Sequence, residues 1–280
     1  MDIFLAAERA FHLIPQYSLE VAQDRVEQKK TTLVSGTVGA LISRPKAEDI
    51  QLASIENRLE AFWQISVFLR TAYERHRTYI IPVSGAEIHH VTALGQDLPV
   101  SVTPKGGASF SLAGVEQCVE EYRHNFTFDG AGTKMDLGKY QSFAKTEISD
   151  LGSFNPEGVL LVPPQAHAST VVRSVLAETI KPVQAQVIHE ERVNVETLDI
   201  NFRPVYALEY NWATKGKRVI LEFDALTGDV HTGGKKVENT FKGMITRDLI
   251  FDVTADAAGM LVPGGSIAVK LVKAAIDRGK

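Results

Sequence analysis

Three histidines, His76, His89 and His90, are candidates for a metal site, because imidazole nitrogen is a common ligand of zinc. His89 and His90 are adjacent, and adjacent residues on a β-strand point to opposite faces of the sheet. Without a bulge they cannot both bind one ion from the same side. We therefore interpret them as ordinary strand histidines and predict no metal site.

Cys118, the single cysteine, and His124 form a second candidate, because a thiol beside an imidazole can act as a nucleophile with its base. Six residues apart on a helix, the two side chains would lie about 240° from each other around the axis and could not meet locally. The negative charge of nearby glutamates also opposes formation of a thiolate. We predict a structural cysteine.

Two loops have some features of ion-binding sites. Asp129–Gly132, followed by Asp136, offers oxygen ligands, but it lacks the regular ligand spacing and the closing glutamate of an EF-hand. Pro263–Ser266 would place free backbone N–H groups at the start of a helix, but no Walker lysine follows it. Neither loop predicts a bound ion or nucleotide.

Glu190, Glu191, Glu196 and Glu209 could supply paired carboxylates for acid–base chemistry. Glu190 and Glu191 would point to opposite faces of a strand, and basic residues within 215–218 are available as counter-ions. We interpret these glutamates as a solvated, charged face of a sheet. The sequence thus predicts no catalytic residue, no cofactor and no metal, and it favours a protein that is not an enzyme.

The composition is that of an ordinary globular protein, with 280 residues, 44% hydrophobic residues, 23% charged residues and a net charge of −4. This charge provides no basic surface for nucleic acid, which we do not expect as a partner. A single cysteine excludes an intramolecular disulfide. The first residues, which include Asp2, Glu8 and Arg9, lack the basic region of a secretory signal. We expect a cytoplasmic protein.

The clearest element that the sequence predicts is a β-hairpin within Asn201–Gly234. Apolar residues from Tyr206 to Trp212 occupy alternate positions, and a second alternating run follows a short polar turn with one glycine. Before the hairpin, Ala168–Ile180 has the apolar spacing of an amphipathic helix. A helix packed across an antiparallel sheet would bury one face of each element.

The rest of the chain is predicted to alternate helices, strands and a linker. The predicted helices are Ile3–Ile14, Leu19–Lys30, Ala47–Arg58, Val115–Tyr122 and Ser266–Asp277, the linker is Thr31–Pro45, and strands are predicted within Phe62–Val83, Glu87–Ser101 and Val159–Val162. We divide the chain into an N-terminal helical arm with a linker (1–45), a β-rich region (46–155), an α+β domain (156–236) and a C-terminal segment with an amphipathic helix (237–280). The predicted fold class is α+β.

The segment Val159–Gly234 resembles the PepSY-like, cystatin-related modules, in which a helix precedes strands that end in an Asp-x-x-Thr-Gly turn. The matching residues are Val205-Tyr206-Ala207-Leu208-Glu209-Tyr210 and Asp224-Ala225-Leu226-Thr227-Gly228-Asp229. The resemblance implies a helix-on-antiparallel-sheet domain with a non-catalytic binding or inhibitory role. The whole chain is similar to uncharacterised bacterial proteins that carry the runs FRPVYA and DALTG.

These patterns favour a non-enzymatic protein-interaction or regulatory module that acts through sheet edges and terminal helices. Its partner would be another protein or a second copy of the chain. The candidate interaction residues are Tyr206, Tyr210, Trp212, Arg203 and Glu209. The sequence leaves open whether the three aromatic residues lie in the core or in contact with the partner.

Two alternatives remain at this point. The first is a small-ligand-binding protein or enzyme, with a pocket between helix 168–180 and the sheet where Arg203 and Glu209 would be the polar groups. The second is peripheral association with a membrane surface through the C-terminal amphipathic helix, which carries several basic residues.

Overall fold

The structure is mostly β, and its strands form one large, curled, mixed sheet. The computed structural model describes residues 1–43, 46–85, 87–102, 106–233, 246–252 and 270–273. The strands in these ranges are β1 (Asp2–Leu5), β2 (Glu8–Leu13), β3 (Ile50–Val83), β4 (His90–Ala93), β5 (Gln96–Val102), β6 (Ala108–Asp129), β7 (Lys145–Glu147), β8 (Leu160–Val162), β9 (Val187–Trp212), β10 (Lys217–Asp224), β11 (Val230–Thr232) and β12 (Lys270–Lys273). The α-helices are α1 (Leu19–Ser43), α2 (Ala168–Thr179) and α3 (Arg247–Ile250), and short 3₁₀ turns lie at Ala47–Asp49, Gly138–Ser142 and Ala213–Lys215.

β3 is the central strand, and it runs through 34 residues. The order along the main path of the sheet is β11-β10-β9-β3-β6-β5-β4. β9 pairs antiparallel with β3 from Ile50 to Glu74, and β6 pairs antiparallel with its other side from Phe62 to Val83. β1 and β2 add to β9 in parallel, and β8 adds to β3 in parallel. Each of the remaining strands therefore pairs either with one of the three long strands or with a strand that does.

The larger core lies between α2 and one face of β3, β6 and β9. Alternate β3 residues from Leu59 to Tyr73 are buried, as the two-residue period of a strand requires when one face is covered. Val171, Val175 and Leu176 of α2 pack in the same cluster. The indole N–H of Trp63 donates to the Ala166 carbonyl at 3.0 Å, which joins the start of α2 to the sheet.

A second core lies between α1 and the hairpin of β9 and β10. Ala22, Val26 and Val34 of α1 are buried against aromatic and aliphatic residues of the hairpin. Leu33 and Val34 belong to this cluster, so contacts with the sheet account for the continuation of the helix beyond Lys30. The segment that we predicted as a linker, Thr31–Pro45, is therefore helical as far as Ser43, and this prediction was wrong.

The two sides of β3 differ in regularity. Its pairing with β9 has three register shifts, between Leu52 and Ser54, Ser66 and Val67, and Ala72 and Tyr73. Such bulges bend and twist a strand pair. Its pairing with β6 continues from Phe62↔Asp129 to Val83↔Ala108 without a shift. The pairing of β3 with β6 is therefore regular along its whole length.

The prediction of an α+β, helix-on-sheet class is wrong, because strand pairing accounts for most of the chain. Segments 2–5 and 8–13, predicted as part of a helical arm, are strands whose alternate residues Ile3, Leu5 and Ala10 are buried beside β9. Ala47–Arg58 and Val115–Tyr122, predicted as helices, lie mostly or wholly in β3 and β6. Lys270–Lys273 is a strand paired with β1, while the rest of the predicted C-terminal helix lies outside the described residues.

Several local predictions are confirmed. α2 occupies Ala168–Thr179, and β9 and β10 form the predicted hairpin with Trp212 paired to Lys217 and a left-handed Gly216 in the turn. The Asp224 carboxylate accepts hydrogen bonds from the Leu226 and Thr227 backbone N–H groups in the predicted reversal.

Strand pairing crosses the predicted domain boundary at 155/156. β3 lies before this boundary, and it is hydrogen-bonded to β8 and β9, which both lie after it.

The loop after β6 provides a test of how closely it packs on the start of α2. Gly132 has a φ of +83°, and a Cβ built there would lie 2.7 Å from the Ala166 Cβ. Gly158 also has a positive φ, +70°, but no atom lies within 4 Å of its Cβ position. We expect Gly132→Ala to lower the free energy of unfolding by about 1–3 kcal/mol more than Gly158→Ala, because only the first adds overlap to backbone strain.

Urea denaturation of both variants measures this difference. Equal losses of stability in the two variants would contradict the packing of this loop on α2.

Candidate interaction surface

The three long strands continue beyond the part of the sheet that the helices cover. The last buried side chain in β3 is Tyr73, and residues 76–80 are all exposed. The ten residues after Tyr73 extend for about 33 Å at the rise of a β-strand. We use the name β-arm for residues 70–83 of β3, 108–123 of β6 and 187–192 of β9.

The charged groups of the β-arm are paired with one another across the strands. Arg70 contacts Glu121 and also lies 3.0 Å from Glu190. Arg75 and the Tyr79 hydroxyl both donate to Glu116, at 2.7 and 2.8 Å. The Tyr79 and Arg75 contacts hold the pKa of Glu116 below its usual value. These ion pairs reduce the unpaired charge that the arm presents to a partner.

A second set of contacts extends this pairing along β6. The Tyr73 hydroxyl donates to Glu120 at 2.7 Å, and this hydrogen bond raises the pKa of Tyr73 to about 12. Arg123 makes two hydrogen bonds to Glu196 of β9, at 2.9 and 3.1 Å. These pairs are exposed, so solvent screening keeps their contribution to stability small.

Large apolar side chains are exposed on the β-arm. Val115, Val119 and Ile80 are 52%, 57% and 74% exposed. Val119 pairs with Ala72 and Val115 with His76, and directly paired residues share a face, so these side chains lie on one side of the ribbon. Val187, paired with Glu74, lies on the same side. Exposed apolar residues that are grouped in this way mark interaction surfaces more often than scattered ones do.

The outer edge of β6 is open over most of the β-arm. β5 pairs with β6 only at residues 108–110, and a loop bonds to Thr127 and Asp129 at the other end. Between Ser111 and Asn125, no strand among the described residues pairs with the outer side of β6. This open edge is about 50 Å long. It contains no lysine and no proline, which are among the residues that usually protect an edge strand from pairing.

The three aromatic candidates from the sequence lie in the core. Tyr206, Tyr210 and Trp212 are 6%, 0% and 6% exposed, in the cluster between the β9–β10 hairpin and α1. The Tyr206 hydroxyl donates to the Tyr17 carbonyl and the Tyr210 hydroxyl to Glu27, both at 3.0 Å. Burial and the Glu27 contact raise the pKa of Tyr210, so it remains a donor. Their alternation identified the strand, but it carried no information about α1, which covers them.

Arg203 and Glu209 lie on the opposite face of the sheet from α2. Arg203 contacts Glu60 at 2.8 Å and Asp224 at 3.1 Å, while Glu209 accepts from Ser54 at 2.8 Å. The two residues are six positions apart on β9, about 20 Å. They therefore do not converge, and neither faces the space between α2 and the sheet.

Arg203 belongs to a buried ionic cluster that joins β3, β9 and β10. Burial alone would lower the pKa of Arg203, but Glu60, Tyr140 and Asp224 raise it above its ordinary value. Tyr140 donates to Asp224, and its burial raises the pKa of the phenol. In the same cluster Arg58 pairs with Glu56 at 2.6 Å and with Glu222 at 3.2 Å. Because Arg58 and Arg203 are paired with carboxylates of β3 and β10, we assign both arginines a structural role.

One group has the residue types of a catalytic triad. The Ser169 hydroxyl and backbone N–H donate to the Asp252 carboxylate at 2.7 and 2.9 Å, and His167 Nδ1 lies 3.3 Å from it. Burial opposes ionisation of Asp252, but the Ser169 and His167 contacts outweigh it and lower the pKa. The serine bonds to the carboxylate and not to the imidazole, so it has no base. Asp252 acts as a cap for the first turn of α2, and sequence spacing could not reveal this contact across 83 residues.

The other candidate chemistry does not assemble. Cys118 and His124 lie on one strand, β6, about 20 Å apart along it. His90 contacts Asp97 at 3.1 Å. Within the described ranges, no group of three or more His, Cys, Asp and Glu side chains could hold a metal ion. Pro263–Ser266 lies outside the described residues.

Comparison with protein-family models, with curated proteins and with solved structures gives no match to this chain. The PepSY-like resemblance therefore stays a prediction. No helix in the described part of the chain has both the length and the apolar character needed to cross a membrane.

A substitution at Trp212 separates a core role from a contact role. Because its side chain is almost fully buried beside α1, we expect Trp212→Ala to lower the free energy of unfolding by about 3–5 kcal/mol. Ile80→Ala, at a 74% exposed position, is the control and should change it by less than about 0.5 kcal/mol. Chemical denaturation measures both values. An unchanged stability in Trp212→Ala would contradict its place in the core.

Proposed function

We propose that this protein is a non-enzymatic interaction module that binds a protein partner by strand addition to the open edge of β6. The observation that carries the proposal is the regular edge from Ser111 to Asn125, with which no strand pairs in the described structure. An exposed strand edge offers a row of backbone N–H and C=O groups to an incoming strand, and this is a common mode of peptide and protein recognition. We expect this binding to take place in the cytoplasm.

The chemistry of the arm supports the same proposal. Exposed Val115 and Val119 stand beside the open edge, where they can contact side chains of an added strand. Glu116 and Glu121 beside the edge are already paired with arginines, so an incoming strand does not have to neutralise them. The segment between Ser111 and Asn125 has neither lysine nor proline, two residues that often block the pairing of an edge strand. A protein that only needed to remain monomeric would gain from such protection.

A small ligand in a cleft at the end of α2 is the second candidate. The cleft has a volume of about 280 Å³ and is lined by Leu69, Tyr122, His124, Glu178 and Thr179, among others. The Thr179 hydroxyl is buried and has no hydrogen-bond partner among the residues that the structure describes, which favours a polar ligand or water nearby. The volume is at or below the low end of typical ligand sites, about 300–1,000 Å³, so we rank this function second.

Two variants test the first candidate. Val119→Lys places a flexible cation beside the open edge, whereas Ile80→Lys places it on the same face of β3, away from that edge. We expect Val119→Lys to lose binding to the partner and Ile80→Lys to keep it, with the fold of the single chain unchanged in both because the two positions are exposed in it.

The measurement is affinity capture from native lysate and from cells that express a second, differently tagged copy of the chain, followed by mass spectrometry. Identical sets of captured proteins, own copy included, for the unmodified protein and both variants would contradict the proposed function.

A further inference from the structure

We infer that the partner of this edge is a second copy of the chain, with the two β6 strands paired antiparallel about a two-fold axis at Gln117. The inference rests on the proposed function, because it uses the same open edge and names what binds there. Identical edges can pair in this way, since an isologous contact brings residue i of one copy to residue j of the other, and j to i.

The geometry of a two-fold pair restricts the register. The axis must be perpendicular to the sheet, so that the same face of both copies stays on one side. Directly opposed residues then have numbers that are both odd or both even. Every allowed axis therefore passes midway between one residue of β6 and the same residue of the other copy. The axis must also lie near the middle of the open range, because β5 occupies positions 108–110.

Like charges exclude most of these registers. An axis at Glu116, Glu120 or Glu121 would place that glutamate opposite its own copy, and an axis at Cys118 would place Glu116 opposite Glu120. Directly opposed like charges destabilise a strand pair. Near the middle of the edge, axes at Gln117 and Val119 avoid every such pair.

The side chains favour the axis at Gln117. It places Val115 opposite Val119 of the other copy, twice, on the face where both are exposed. On the other face it places Tyr122 opposite Leu112, and Glu120 opposite Gly114, which has no side chain to crowd the carboxylate. An axis at Val119 would place Val119 opposite its own copy once, but it would also place Val115 opposite Arg123, and Tyr122 opposite Glu116. Apolar and aromatic cross-strand pairs stabilise a sheet, so the first register is preferred.

Existing ion pairs allow the edges to approach. Glu116 is bonded to Arg75 and Tyr79, Glu120 to Tyr73, and Glu121 to Arg70, all within one copy. The Glu116 and Glu121 carboxylates therefore meet the second copy with an arginine beside each, while Glu120 bonds to an uncharged phenol and faces Gly114 across the seam. A strongly basic partner would find no excess of free acidic groups on this edge, whereas an identical, compensated edge is compatible with it.

The test uses single cysteines in a Cys118→Ser background of the full chain. Gln117→Cys lies on the axis, so the two thiols would be directly opposed, within the range that a cross-strand disulfide can bridge. Ser111→Cys is the matched control on the same edge, because its own copy would be twelve residues away along the partner strand, about 40 Å. Mild oxidation followed by non-reducing electrophoresis should give about tenfold more cross-linked dimer for Gln117→Cys than for Ser111→Cys.

Light scattering of the unmodified protein completes the test. We expect a mass twice the 30.7 kDa of one chain, reduced to that of one chain by Val119→Lys and unchanged by Ile80→Lys. Equal cross-linking at the two cysteine positions overturns the register, and a single-chain mass at all concentrations overturns self-association. If that single chain still captures another protein in a Val119-dependent manner, the inference fails while the proposed function stands. If it captures none, both fail.

Discussion

The structure depends on how the backbone of β3 is hydrogen-bonded over its whole length. From Phe62 to Glu74 this strand has a long neighbour on each side. Apolar side chains from the three strands there pack against α2 and form the larger core. Beyond Glu74, β6 is the one strand beside it in the part of the chain that the structure describes. A two-stranded ribbon has no core of its own and is marginal in isolation. The β-arm therefore gains its order from the sheet at its base and from the cross-strand ion pairs along it.

The two ends of the sheet solve the problem of burial in different ways. At one end α1 covers the aromatic face of the β9–β10 hairpin, and the opposite face of the sheet is occupied by the paired charges around Arg58 and Arg203. Every buried charge in that cluster needs its partners, because an unpaired buried charge is costly. At the other end the ion pairs are exposed, and no helix among the described residues covers the valine face. The apolar residues Val115, Val119 and Ile80 stay exposed, and this contrast is the physical basis for assigning the interaction to the arm.

Sequence patterns correctly predicted the elements whose apolar side chains lie mainly on one buried face. Ala168–Thr179 and the hairpin have one covered face each, so their apolar periods are clear. Val115–Tyr122 was wrongly predicted as a helix because this part of β6 has no fully buried residue on either face and lacks an apolar alternation. The N-terminal strands were missed because their parallel partner, β9, lies about 190 residues away and leaves no local signal. The sequence of the β-arm contains one signal, a long run without lysine or proline in which valine and glutamate are mixed. This run indicates an open edge only when the pairing of the strands is already known.

Amide hydrogen exchange along β6 tests the central claim most directly, since it reports hydrogen bonding at individual residues. At low protein concentration the amides that face β3 should be protected, while those that face outward between Ser111 and Arg123 should exchange rapidly. At about hundredfold higher concentration the outward amides should become protected as the second edge adds to the sheet. Outward amides that are protected equally at every dilution, or that exchange rapidly at all concentrations, would contradict an open edge that binds a second copy.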